Sequence, residues 1–438
     1  MKKSLLPIIA LAGLFLFSCK KNAGPGKWPG MPERSDHPLK IAIVSDIHYM
    51  HPSLLGADGA AGLAFQNYLN QDPKLVEYSD PIFRKVMEEL KTEKPDILLV
   101  PGDITKDGEK IGHQAMAGFF NELTRQGISV YVMPGNHDIN NGKAKKYIGD
   151  KDYPVDMTSK TDFERIYANF GYRNAIARDA SSLSYVVQLK PGLRLISIDA
   201  SKYENYGPEG DVAAGRIKPE TLTWILAQLA AAKKQHLQIF AMMHHNLIEH
   251  YAGQTQLDPG YVIDDWQHVV NALMDAGLRV IFTGHYHAND ISSYSYNGNK
   301  LFDIETGSLV TAPIPYRIIT LQNDKLIVKT NIVRSIGTNL PGKLGFPTYS
   351  NLFLSQHLDG YFNYYLTNLL GAPAEVATFA SPLFRNGIMA HFAGDEQMPP
   401  DQRAKIAELA ALSQQLAGIV TTLWTDTGEK DNNTVVEY

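Results

Sequence analysis

Five short apolar runs in this chain each end on residues able to bind a metal or move a proton. KIAIVS (40–45) leads into Asp46-Ile47-His48, and ILLVP (97–101) into Gly102-Asp103. VYVMP (130–134) leads into Gly135-Asn136-His137-Asp138, IFAMM (239–243) into His244-His245, and VIFT (280–283) into Gly284-His285-Tyr286-His287. Runs of this length and composition read as buried strands. In open α/β sheets the residues beyond the carboxyl ends of the strands face one crevice, so these groups should converge. Glycine beside three of the sets permits tight turns in which backbone and ligand approach closely. Nitrogen and oxygen donors without a thiolate suit metals of intermediate hardness. Seven such groups are too many for one four-coordinate ion but suit two ions sharing a bridge. Paired ions about 3.5–4 Å apart clamp the attacking and leaving oxygens of an in-line displacement and acidify a bound water. That chemistry fits phosphoester hydrolysis.

The elements that would position these groups alternate. One further strand-like run occupies 193–198, and those before His244 and Gly284 extend over 238–243 and 279–283. Helical patterns lie between the runs. Ser79-Asp80-Pro81 precedes Phe83, Val86, Met87 and Leu90 at helical spacing; 110–126 continues similarly; Pro219 opens a third helix, and 265–276 forms a fourth before Gly277. Alternation of strands and helices implies a layered α/β fold. Residues 300–304, 317–321 and 326–332, the last after an Asn323-Asp324 turn, read as an antiparallel continuation. Beyond about residue 334 the pattern changes: Gly and Pro crowd 337–347, and 349–370, 382–392 and 401–424 read as helices. The expected division is 39–335 for the α/β domain and 336–438 for a helical domain, whose Tyr361, Phe362, Tyr364 and Tyr365 are expected in packing.

The ordered set Asp-x-His, Gly-Asp, Gly-Asn-His-Asp, His and Gly-His-x-His resembles the calcineurin-like metallophosphoesterase superfamily. PGNHDINN (134–141), TDFERIYANFGY (161–172), SLSY (182–185) and HHNL (244–247) further resemble bacterial exported class III cyclic-nucleotide phosphodiesterases with an added helical C-terminal domain. The resemblance covers about 40–330 and implies a four-layer α/β/β/α sandwich with a C-terminal α-helical region. It also implies two metal ions, Fe, Mn or Zn: Asp46, His48 and His287 around the first, Asn136, His244 and His285 around the second, Asp103 bridging, and a hydroxide opposite as nucleophile. By the same resemblance His137 protonates the leaving oxygen or stabilises the transition state, and Asp138 orients it. The substrate implied is a cyclic nucleotide or related small phosphodiester; a phosphomonoester or glycerophosphodiester would use the same ligands.

The remaining histidines are expected to do no chemistry. His37, His113, His236, His268, His357 and His391 are expected on surfaces or helix faces, His51 and His250 off the site, and His245 facing substrate or packing. Asp199 is expected to cap a turn, and Arg178 and Arg216 to be solvated. The Gly102–Gly108 stretch lacks the arginine of the Ser/Thr protein phosphatases, and Asp138 stands where they carry Glu. A non-catalytic binding lipoprotein on this scaffold would have lost ligands, whereas every position is filled.

Lys2 and Lys3 precede an apolar run, 5–17, too short to cross a bilayer comfortably, and Leu16-Phe17-Ser18-Cys19 resembles a bacterial lipobox. Residues 1–18 therefore read as a lipoprotein signal peptide, Cys19 as the lipidated residue, and 19–38, rich in Gly, Pro and Lys, as a flexible tether. The expected location is the cell envelope, exported and held to membrane by lipid. Cys19 is the single cysteine among 438 residues, which excludes an internal disulfide framework and Cys-built zinc sites. Charge is 41 basic against 46 acidic residues, a net −5 without a basic field, so no nucleic-acid polymer is expected as partner.

Overall fold

The computed structural model describes residues 38–394, 396–425, 428 and 430–438. The expected signal peptide 1–18, Cys19 and nearly all of the expected tether lie outside them.

Apolar runs become two mixed sheets. The first contains β1 (Leu39–Ile43), β2 (Ile97–Pro101) and β3 (Ser129–Met133). A hairpin, β4 (Lys145–Ile148) and β5 (Lys151–Pro154), stands apart. The second sheet gathers β6 (Ala177–Arg178), β7 (Tyr185–Lys190), β8 (Leu193–Ile198), β9 (Gln238–Met243), β10 (Val280–Thr283), β11 (Ile291–Tyr296) and β12 (Asn299–Glu305). The chain then returns to the first sheet with β13 (Pro315–Gln322), β14 (Lys325–Ile332) and, at its very end, β15 (Asn433–Glu437). The strand orders are β15-β14-β13-β1-β2-β3 and β11-β12-β10-β9-β8-β7-β6. Strands β1, β2 and β3 run parallel, as do β8, β9, β10 and β12, so the ends that carry the candidate ligands point one way within each sheet.

The sheets pack face to face, β2 against β9 and β3 against β8, with Val100, Val132, Leu195, Phe240 and Phe282 in one core. On the outer face of the first sheet lie α2 (Ser79–Glu93) and α3 (Lys110–Arg125), placed after a short α1 (Leu63–Leu69). Phe83, Val86 and Leu90 of α2 and Met116, Phe120 and Leu123 of α3 enter the core at the three-to-four spacing of an amphipathic helix. After α4 (Lys160–Ile166), the outer face of the second sheet is covered by α5 (Pro219–Lys234) and, beyond a short α6 (Gln254–Leu257), by α7 (Trp266–Asp275). These are the four layers of an α/β/β/α sandwich.

The helical region comprises α8 (Phe346–Tyr364), α9 (Ala374–Ala393), α10 (Pro400–Leu412) and α11 (Gln414–Thr422). It differs from the expectation in three places. Pro382 lies inside α9 rather than opening a helix, because Ala377, Ala380, Leu383 and Phe384 bury one face across it. The run 401–424 breaks at Ser413, whose extended backbone and hydroxyl cap a new helix by accepting from Leu416 N–H. The stretch after 424, placed in the helical domain without an element of its own, contains β15, paired antiparallel to β14 with Val436 buried. Five residues supply too short an alternation to separate from a helix end. No helix among the described residues is long and apolar enough to cross a membrane.

Candidate metal centre

Strand ends alone would send consecutive side chains to opposite faces. The backbone corrects this: Asp46, His48, Asp103, His285 and His287 all have positive φ, between 41° and 79°. Such left-handed positions cost of order 1–3 kcal/mol each in non-glycine residues and collect at functional sites. Glycine makes the remaining room, since a Cβ on Gly135 would overlap the Asp103 carboxylate and one on Gly284 would overlap Ser45 and Asp46. The result is two abutting clusters whose donor atoms lie within 4.8 Å of one another: Asp46, His48 and His287 in one, Asp103, His244 and His285 in the other.

Hydrogen bonds around the clusters aim each donor. Oδ2 of Asp46 accepts from Ser45 Oγ at 2.5 Å and from His285 N–H at 3.0 Å, while Oδ1, 3.5 Å from His287 Nε2, is buried without a hydrogen-bond partner. The Nε2 atoms of His48 and His287 face each other at 3.3 Å. Oδ1 of Asp103 accepts from His137 N–H, leaving Oδ2 between the clusters, 3.6 Å from His48 Nε2 and 3.3 Å from His244 Nε2. Nδ1–H of His244 donates to the Pro101 carbonyl at 2.8 Å, so its Nε2 lone pair points at Asp103 Oδ2 and, 3.0 Å away, at Oδ1 of Asn136.

Lone pairs aimed at lone pairs, and a buried carboxylate oxygen without a donor, repel unless a cation or proton lies between them. With protons alone, burial lowers the His244 pKa but the Asp103 charge outweighs it and pushes it up to about 9. Burial raises the Asp103 carboxyl, yet His244 and His137 hold it well below the usual range. The donor set therefore fits two divalent ions. Asp46, His48 and His287 would hold one; Asn136, His244 and His285 the other; Asp103 would bridge. Bound there, such ions supply the charge that acidifies water and neutralises phosphoryl oxygens.

His137 stands at the face of this centre, partly open to a cavity of about 1200 Å³. Its Nδ1 is 3.0 Å from Asp107 Oδ1, and its Nε2 lies 4.0 Å from Asp103 Oδ2 and 3.6 Å from Asp211 Oδ2. Burial lowers its pKa, but with no metal bound Asp103, Asp211 and the Asp107 bond raise it to about 9. Asp107 is held ionised despite burial by the fully buried Lys106, which it contacts, and Lys106 also bonds Glu109 at 3.2 Å and lies over the Tyr68 ring at 4.7 Å.

The carboxylate that orients His137 is thus Asp107, not Asp138. Asp138 instead accepts the backbone N–H groups of Ile104, Thr105 and Gly135, tying the Asn136 loop to the Asp103 loop. Two further groups escaped the sequence reading. Asp211 accepts from Nδ2 of Asn136 at 3.0 Å and so turns the amide oxygen toward His244. Lys74 lines the cavity, held by Asp72. Asp107 carried a faint signal, four residues past the Gly-Asp pair; Asp211 and Lys74 sit in loops without periodicity.

The other histidines divide. His245 packs, its Nε2 3.0 Å from the Ala213 carbonyl and its ring on His285. His113 and His391 are buried rather than superficial, within hydrogen-bonding distance of Tyr167 and Glu396 respectively. His357 lines the cavity, and His250 is buried against Asp290 and Asp303 away from it. Asp199 caps its turn by accepting from Leu183, Ser201 and Tyr203; Arg178 pairs with Glu164.

Among solved structures, a dimetal phosphatase from Danio rerio is 15% identical, covering 68% of this chain and 97% of its own, with a TM-score of 0.47. Purple acid phosphatase PPD1 from yellow lupin (Lupinus luteus) seeds is 14% identical, covering 70% of this chain and 52% of its own, with a TM-score of 0.40. The chain thus spans about half of the lupin protein. No curated protein matches in sequence. Residues 39–289, which carry both ligand clusters and His137, match the family of calcineurin-like phosphoesterases, and the chain belongs to that family.

Proposed function

We propose that this protein is a phosphodiesterase that uses two metal ions, Fe, Mn or Zn, held by the seven ligands, with His137 as proton donor to the leaving oxygen. One observation supports diesters over monoesters. Among the described cavity-lining residues outside the seven ligands, Lys74 is the single Lys or Arg, set against Asp211 and Asp258. A monoester carries about −1.5 to −2 at neutral pH, its second pKa being near 6. A diester carries one charge and needs little cationic compensation beyond the two ions. Cyclic nucleotides and glycerophosphodiesters are the diesters to compare first. The metal-loaded protein should hydrolyse bis(p-nitrophenyl) phosphate with a kcat/KM at least about tenfold above that for p-nitrophenyl phosphate. A preference for the monoester would reverse the assignment.

We also propose that the chain is exported and anchored through a lipid on Cys19. Cells expressing the full chain should incorporate labelled palmitate into it and hold it in the membrane fraction. Cys19→Ala should abolish the label and release the protein; a label that survives the substitution would contradict the anchor.

A further inference from the structure

The cavity that opens on His137 does not end at the metal centre. It continues into the helical region, where Leu354, Leu358, Phe362, Phe384, Ile388 and Leu423 border the same space. All six are between 1% and 7% exposed, so they belong to the helical core yet face a void. Cores are ordinarily packed with few voids larger than a water molecule. A volume of about 1200 Å³ also exceeds the roughly 300–1,000 Å³ typical of sites for drug-sized ligands. Those six side chains offer the edge of a nucleobase no hydrogen-bond partner.

We infer that the diester this cavity receives is of lipid class, its phosphate at the metal centre and a long apolar chain lying among α8, α9 and α11. The inference rests on the phosphodiesterase reading and adds the substrate class to it. The mouth has the composition such a substrate needs. Tyr361 and Tyr364 line the cavity while remaining 51% and 60% exposed, and the turn that follows leaves Leu369 and Leu370 exposed. Aromatic rings with one apolar and one wet end suit a boundary between water and hydrocarbon. In the same wall the hydroxyls of Tyr251 and Tyr286 both donate to Asp258, so these three polar groups pair with each other.

The test uses the full metal-loaded chain and alkyl p-nitrophenyl phosphodiesters with methyl, butyl and octyl chains, below their micellar concentrations. If the chain is buried, kcat/KM rises about two- to fourfold for each added methylene until the cavity is filled. In a readout independent of turnover, octylphosphonate should bind at least about tenfold more tightly than methylphosphonate by calorimetry. Ile388→Trp, which places bulk among the six apolar side chains, should reduce the octyl-to-methyl ratio at least about fivefold; should that variant not fold, the wild-type series and the phosphonates decide alone. Hydrolysis of the methyl ester at a rate the longer chains do not improve would overturn the lipid assignment while leaving the phosphodiesterase reading intact. So would a preference for the p-nitrophenyl ester of thymidine 5′-phosphate over the octyl ester. Failure to hydrolyse any of the diesters would overturn the phosphodiesterase reading itself.

Discussion

At the residue scale, the proposed function separates groups that would hold metal from His137, which would move a proton. His137 neighbours Asn136 in sequence, yet its two ring nitrogens face Asp107 on one side and Asp103 and Asp211 on the other. Removing the ring deletes a proton donor and none of the seven ligands. His137→Ala should therefore keep its metal content, measured by atomic emission, while kcat falls by about 10²–10⁴-fold, the usual contribution of a positioned acid or base. Loss of metal in step with activity would instead make His137 a ligand. The types and order of the candidate donors were legible in the sequence because each follows a strand, and the structure draws these side chains to one crevice. The positive φ of Asp46, His48, Asp103, His285 and His287 was not legible, since nothing in Asp-x-His or Gly-His-x-His distinguishes a left-handed backbone from an extended one. The orienting carboxylate was also missed, because adjacency favours Asp138 whereas the fold delivers Asp107 from a loop 30 residues earlier.

At the scale of the elements, long periodic segments were read correctly in type and less well at their ends. Helix α3 shows what periodicity leaves out. His113 lies on its buried face, where Nε2–H donates to the Asp138 carbonyl and Nδ1 accepts from Tyr167 hydroxyl, so the neutral ring joins α3 to the Asn136 loop and α4. Helical spacing alone cannot tell such a residue from one on the wet face. Burial lowers its pKa to about 3 from an ordinary value near 6.5. Between those values the unfolded chain binds a proton that the folded chain refuses. Stability from this group is therefore whole above about pH 6.5 and declines as the pH falls toward 3, at up to about 1.4 kcal/mol per pH unit. Urea unfolding at a series of pH values should show this slope. His113→Gln should lower stability at pH 7 by about 1–3 kcal/mol, through poorer hydrogen bonding. It should also flatten the acid slope by about one proton. An identical slope in both proteins would place the acid sensitivity elsewhere.

For the whole molecule, the decisive connection is the one made last. The helical region, read from the sequence as an appendage after the sheet, is bracketed by two neighbouring strands of that sheet, β14 before it and β15 after it. It is consequently held at both ends, with Tyr286, between two candidate ligands, packed on His391 and Phe392 of α9. The residues that lead into the final strand do more than place it on an edge. Asp431 accepts from Ile291 N–H at the start of β11, and its carbonyl accepts from the buried Arg317 guanidinium of β13, so the same few residues join both sheets. Deleting residues 431–438 would strip the ladder from Lys325–Lys329, uncover Leu326 and Val328, and take acceptors from two buried donors. Each lost acceptor costs about 1–3 kcal/mol, and a bared hydrophobic edge invites pairing with another chain. The truncated protein should melt at least about 5 °C below the full chain and form concentration-dependent oligomers in size-exclusion chromatography. Because the helical wall of the cavity would then be tethered at one end only, the octyl-to-methyl preference should fall more than hydrolysis of the methyl ester. Unchanged melting and a monodisperse profile would show that β15 merely rests on the sheet.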